Sequence, residues 1–221
     1  MMDKDYFINS YKNELPNLHV ILDDLENIVQ TSDNFEGNCF YTNKTFIRNP
    51  ELINKQVNLY WLGCNGCINI CEIGFNAGHS ALLLLLGNTA SEINFTIFDI
   101  NHHTYTSECY DYIKTKFPQV NFEFVEGDSI VMIPKWTQES HKYETFDIIH
   151  VDGGHALDII QNDFANSVKL LKKNGIIIID DVQKTHINDL VNVYIYSGMF
   201  EEITSMFETT FYPHRILKKC I

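Results

Sequence analysis

The 221-residue chain has no apolar run near the roughly 18 residues that a membrane-spanning helix needs, and its leucine run, Leu82 to Leu86, is far too short. It is also poor in basic residues. Sixteen Lys and Arg stand against 29 Asp and Glu, giving a formal charge of −13, so the global attraction that drives phosphate-backbone binding is missing and nucleic acid is not an expected partner. No Gly/Ser linker, internal repeat or low-complexity tract marks a second domain. The opening Met1-Met2-Asp3-Lys4-Asp5 is charged and lacks the apolar core of a secretory signal, so the expectation is a soluble cytoplasmic protein with no membrane association. Six cysteines are present, but a chain with 45% apolar residues can bury a core without disulfide staples, and reduced thiols are expected.

From about residue 66 onward, short apolar runs alternate with helical patterns, the signature of βα units around a parallel sheet. Ile68 to Ile73, Phe95 to Ile100, Asn121 to Val125, Phe146 to Val151 and Ile176 to Ile179 read as strands buried on both faces. His79 to Leu86, Thr104 to Phe117 and Leu157 to Lys172 read as helices, the second ended by Pro118 and the third by Asn174-Gly175. Phe200 to Phe207 and Phe211 to Leu217 are too close for a helical crossover and predict a hairpin, which places one strand antiparallel to the rest. The expected class is α/β. Residues 1–65 are Asn-rich and read as a helical appendage or lid, with helices at Leu18 to Val29 and Pro50 to Leu62, and residues 66–221 carry the sheet.

Strand one runs into Glu72-Ile73-Gly74-Phe75-Asn76-Ala77-Gly78-His79-Ser80, an acidic-x-Gly-x-x-x-Gly turn entering a helix. Ligands of open α/β sheets lie beyond the carboxyl ends of the strands, where glycine lets backbone approach them closely. The spacing is not the Gly-x-Gly-x-x-Gly of dinucleotide sites, and Glu72 would serve a pyrophosphate poorly, which argues against a nicotinamide dehydrogenase. A ligand with a positive group fits better. Asp99, at the end of strand two, can accept hydrogen bonds from ribose hydroxyls, and Asp128 and Ser129 follow strand three where an adenine edge would lie.

These residues, with the terminal hairpin, resemble the class I S-adenosylmethionine-dependent methyltransferases over roughly residues 66–219. The resemblance implies a Rossmann-like seven-stranded sheet of order 3-2-1-4-5-7-6 with strand seven antiparallel and helices on both faces. It further implies cofactor contacts along the motif, with Glu72, Gly74, Phe75, Asn76, Gly78 and Ser80 around the methionine end. Asp99 would hold the ribose and Asp128 with Ser129 would flank the adenine, with Ile100 and Asp152 as further cofactor contacts. Fold analogy adds a homodimer.

Strand four ends in His150-Val151-Asp152-Gly153-Gly154-His155 and strand five in Asp180-Asp181. Three carboxylates at adjacent strand ends repel, so one holds a proton or a cation neutralises them, and all-oxygen ligands suit Mg²⁺. The pattern resembles the metal-dependent O-methyltransferases of the catechol and natural-product sugar types. That resemblance implies Asp152, Asp180 and Asp181 as metal ligands and a hydroxylated small-molecule acceptor. His155 stands where the catechol type carries a lysine, and a neutral imidazole there is the candidate base, with Asp152 beside it. The sugar type has its base two residues after the first ligand, where this chain has Gly154.

Plainer readings stand beside these. Asp180-Asp181 can cap the following helix, and His150, Asp152 and His155 imitate an iron-binding triad, although His150 suits packing better. Cys64 and Cys67 form a lone Cys-x-x-Cys that lacks zinc's further ligands, and His102-His103 reads as an exposed loop pair. Phe40-Tyr41 and Tyr60-Trp61 read as packing of the appended helices, with a substrate lid that includes Asn43-Lys44-Thr45 as the other reading. A noncatalytic cofactor-binding protein or partner subunit is the competing function.

Overall fold

The computed structural model describes residues 4–30, 39–42 and 46–221; Asn43-Lys44-Thr45 lies outside them. The amino-terminal part holds helix α1 (Lys4–Val29), a 3₁₀ turn (Pro50–Leu52) and α2 (Ile53–Gly63). The remainder alternates as β1 (Asn69–Ile73), α3 (His79–Gly87), β2 (Ile93–Asp99), α4 (Thr106–Lys116), β3 (Val120–Glu126), α5 (Ser129–Ser140) and β4 (Phe146–Val151). It continues through α6 (Leu157–Leu170), β5 (Leu171–Ile179), α7 (Thr185–Tyr196), β6 (Phe200–Glu202) and β7 (Arg215–Lys219). The seven strands order as β3-β2-β1-β4-β5-β7-β6, with β7 antiparallel to both its neighbours. That is the expected α/β sheet, with its hairpin at one edge.

Strand alternation sends side chains to two faces. Ile70, Ile148, Ile178 and Ile216 pack with α1, α2 and α3 in one core, whereas Cys71, Ile73, Ile149, Val151, Ile177 and Ile179 pack with α5, α6 and α7 in the other. Glu72 on β1 is the register partner of His150 on β4, which is the partner of Ile178 on β5. Two polar groups are therefore set side by side on the sheet face that α2 and α3 cover.

Helix α1 starts at Lys4 rather than near Leu18, because Phe7 and Tyr11 extend the buried face that Leu18, Leu22 and Leu25 continue. Helix α5 lies in a stretch where the periodicity suggested none. Asp128 caps it through Ile130 N at 3.0 Å, and Pro134 inside it obscures the helical pattern. Helix α7 was likewise not delimited by the sequence. Helix α6 ends at Leu170, short of Lys172, and Leu171 already pairs with Phe146. The Asn174-Gly175 pair, expected to stop the helix, instead sits within β5, where the register shifts between Phe146 and Ile148 and Asn174 takes φ +64°. Strand β6 starts at Phe200 as expected but ends at Glu202, and β7, from Arg215 to Lys219, is shorter than the expected span and displaced toward the carboxyl end.

Helix α2 packs directly on α3. A Cβ on Gly63 would lie 2.1 Å from Leu84 O and one on Gly87 2.1 Å from Tyr60 O, so the two backbones meet where only glycine fits. Phe40 and Tyr41 pack edge-on against His79, and Tyr60 Oη lies 2.8 Å from Ser10 Oγ, so the aromatic pairs join the core. Cys64 and Cys67 are half-buried free thiols, and burial pushes the Cys67 thiol up to about 11. Among the described residues no helix is long and apolar enough to cross a membrane.

Candidate functional site

A cavity of about 300 Å³ opens at the carboxyl ends of β1 to β4. Gly74, with φ +90°, forms its floor where β1 turns out of the sheet, and a Cβ there would lie 2.2 Å from Asp152 O. Gly74→Ala is accordingly expected to destabilise the fold by about 2 kcal/mol or more, from left-handed strain and the clash together. Chemical denaturation of the variant measures this, and wild-type stability would contradict it.

Asp99 organises the same turn. Its Oδ2 accepts from Phe75 N at 2.7 Å and Asn76 N at 3.0 Å, and its Oδ1 from Asn101 N at 2.7 Å. Gly74, Asn76, Asp99, Ile100, Asp128, Ser129, Asp152 and His155 all line the cavity. His102 and His103 line it too, with His103 stacked on Tyr105 at 4.9 Å, so this pair is more than a surface loop. Glu72, Phe75, Gly78 and Ser80 do not line it. Glu72 is fully buried on the covered sheet face, its Oε1 accepting from Ser80 Oγ at 2.5 Å and meeting His150 Nδ1 at 2.8 Å. It braces the loop from behind, and Phe75 is packed against Tyr110 and Phe124.

Three carboxylates, Asp99, Asp128 and Asp152, line the cavity, and no lysine or arginine does so among the described residues. With Ile73, Phe98, Ile100 and Ile159 on the walls, the chamber suits a partly apolar ligand of positive charge. An adenosyl sulfonium meets that description.

A profile of the family described as "Methyltransferase domain" matches residues 71–182, just over half of the chain and all of the cavity-forming turns of β1 to β4. The chain belongs to this methyltransferase family. No curated protein matches its sequence. Solved structures share its fold. The O-methyltransferase of Bacillus cereus in complex with SAH is 16% identical, with a TM-score of 0.59, over 89% of this chain and 90% of that one. TomG of Streptomyces achromogenes, an O-methyltransferase involved in tomaymycin synthesis and bound to SAM, is 12% identical with a TM-score of 0.63, over 90% and 89%. The N-methyltransferase NodS of Bradyrhizobium japonicum, bound to S-adenosyl-L-homocysteine, is 14% identical with a TM-score of 0.52, over 77% and 88%.

In this methyltransferase the three aspartates expected to bind a metal do not gather around one point. Two groups have ligand atoms within 4.8 Å of one another: His150, Asp152 and Asp180, and Asp152, His155 and Asp181. His150 and His155 fall in different groups, so the iron-type triad does not form. Each group already meets a lysine. Lys55 Nζ lies 2.7 Å from Asp180 Oδ2 with both side chains 1% exposed, while His155 Nε2 and Lys184 Nζ each lie 2.6 Å from Asp181 Oδ2. This donor set does not suit Mg²⁺, which asks for oxygen ligands in octahedral order and water to complete them. A Mg²⁺ ion on Asp152, Asp180 and Asp181, as the sequence led one to expect, would meet Lys55 at Asp180 and Lys184 at Asp181.

The electrostatics follow from the pairing. Burial alone would raise Asp180, but the Lys55 charge and the His150 hydrogen bond hold its carboxyl far below the usual range. Burial opposes charge on His150, yet Asp180 and Glu72 outweigh it and push the imidazole up to about 10. Asp152 is pushed well above the carboxylate range by burial and by the Asp180 charge. Asp181 is held low against burial by hydrogen bonds from His155, Lys184 and Gln183. His214, 3.9 Å from Asp180 Oδ1 and 3.1 Å from Asn58 Nδ2, is lowered to about 4 by burial. Lys55, Asn58 and His214 escaped the sequence reading because no motif surrounds them.

Proposed function

We propose that this chain transfers the methyl group of S-adenosylmethionine to a hydroxyl of a small molecule. The observation that carries the reading is the cavity lined at the strand ends by Asp99, Asp128 and Asp152 and, among the described residues, by no lysine or arginine, with a histidine held by an aspartate at its wall. When bound, the sulfonium supplies an electrophilic methyl for in-line displacement. Asp99 and the glycine-floored turn would position the ribose and methionine portions, with Asp128 and Ser129 beside the adenine. Asp181 Oδ2 accepts a hydrogen bond from His155 Nε2 at 2.6 Å, which in the neutral ring leaves Nδ1 as the lone-pair nitrogen. His155 is 41% exposed and stands at the cavity wall, where that nitrogen can take the acceptor's proton. The names of the Bacillus and Streptomyces proteins support oxygen as the acceptor atom. Divalent-ion assistance is no part of this reading, since Lys55 and Lys184 already neutralise Asp180 and Asp181.

The test is calorimetric titration with S-adenosylmethionine, followed by methyl transfer to a panel of catechols, sugars and their amino analogues. One-site binding and transfer to hydroxyls are expected. No binding would overturn the reading, and transfer only to amines would overturn the acceptor class.

A further inference from the structure

We propose that Lys55 is the resident cation of the acidic strand ends, a positioning residue that occupies Asp180 in place of a divalent ion and lets methyl transfer run without one. The inference rests on the methyltransferase reading for its second half only.

The geometry starts far from the site in sequence. Helix α2 is buried on all sides from Lys55 to Gly63, so a lysine on it has no route to solvent. Its backbone is fixed against α3 by the Gly63 and Gly87 contacts. Further anchors flank Lys55: Gln56 Nε2 donates to Cys39 O at 2.8 Å, its Oε1 accepts from Tyr11 Oη at 2.7 Å, and Asn58 Nδ2 donates to Phe207 O at 2.8 Å. The ammonium cannot leave without the helix moving.

At the far end Asp180 is enclosed. Its Oδ2 faces Lys55 Nζ at 2.7 Å and His150 Nε2 at 3.5 Å, and its Oδ1 faces His214 Nδ1 at 3.9 Å. Behind His150 the chain of contacts continues through Glu72 to Ser80 on α3. An ion at Asp180 would have to displace an ammonium that is only 1% exposed and stands 2.7 Å from that carboxylate, parting a buried charge from its nearest partner. Lys55 thus supplies from within the chain the positive charge that Asp152 and Asp180 require together. By holding Asp180 and, through it, His150, it fixes the strand ends that carry Asp152 and Asp181.

The test titrates full-length protein, stripped with EDTA, with Mn²⁺ and follows free Mn²⁺ by electron paramagnetic resonance. The wild type is expected to show only weak binding, no tighter than in Asp180→Asn. Lys55→Met, which keeps length and loses charge, is expected to gain a site at least tenfold tighter, and Lys55→Arg to behave as wild type. One tight Mn²⁺ per wild-type chain, lost in Asp180→Asn, would overturn the proposal. Should Lys55→Met fail to fold, the wild-type and Asp180→Asn titrations decide alone. EDTA-stripped wild type is also expected to transfer methyl at an unchanged rate, and a rate that falls tenfold and returns with Mg²⁺ would overturn it. Failure of S-adenosylmethionine to bind would sink the functional reading instead, and leaves the Mn²⁺ result standing as the measure of this one.

Discussion

His155→Ala is expected to lower the rate of methyl transfer by about 10² to 10⁴-fold, the range that a positioned general base contributes, while changing the affinity for S-adenosylmethionine only a few-fold. The reason is the pairing at 2.6 Å between His155 Nε2 and Asp181 Oδ2, which fixes tautomer and ring orientation. Asp181→Asn should reproduce much of the loss. Asp181 sits at φ +56°, a conformation that asparagine tolerates as well as aspartate, so this variant removes charge with little backbone strain. Single-turnover measurements with an acceptor from the panel, taken across pH, check both. A His155→Ala enzyme with wild-type turnover and pH profile would remove the imidazole from the mechanism.

Asp163→Asn is expected to stabilise the protein at neutral pH by up to about 3 kcal/mol. Asp163 lies on α6 with no exposed surface. Burial first, and the charge of Asp128 after it, raise its carboxyl to about 6, although Ser129 draws it back. A folded-state value above the unfolded one means that folding takes up a proton. The stabilisation by that proton is complete below about 4 and is lost as pH rises through about 6, where a bare charge is left buried. A shift of about two units corresponds to about 3 kcal/mol. Asparagine is neutral at every pH, so its advantage over the wild type should grow by about 2 kcal/mol between pH 4.5 and pH 7.5. Paired urea melts at those two values measure it; an advantage that is flat with pH, or a destabilised variant, would contradict the account.

Much of the site could be read from the chain because its parts are local. Gly74, Asp99, Asp128 and Asp152 each lie at, or within two residues of, the end of a strand whose apolar run is visible, and the parallel sheet brings strand ends to one edge. The same locality explains two misreadings. Glu72 lies one residue inside the end of β1, level with Ile97 and not with Asp99, so its side chain stays on the sheet face under α2 and α3, short of the cavity. Asp180 and Asp181 are adjacent in sequence just beyond β5, and with Asp181 at φ +56° they meet different partners, Lys55 and His155. Helix α5 was missed for want of clean periodicity around Pro134, although Asp128 before it carried a capping signal.

The sequence by itself determined the α/β class, the strand-turn-helix that floors the cavity and the acidic strand ends, since these depend on periodicity and on neighbours a few residues apart. Only the tertiary structure decided what neutralises those acids. Lys55 reaches Asp180 across 125 residues of chain because two glycines let α2 and α3 meet backbone to backbone, and such a contact leaves no period or motif in the sequence.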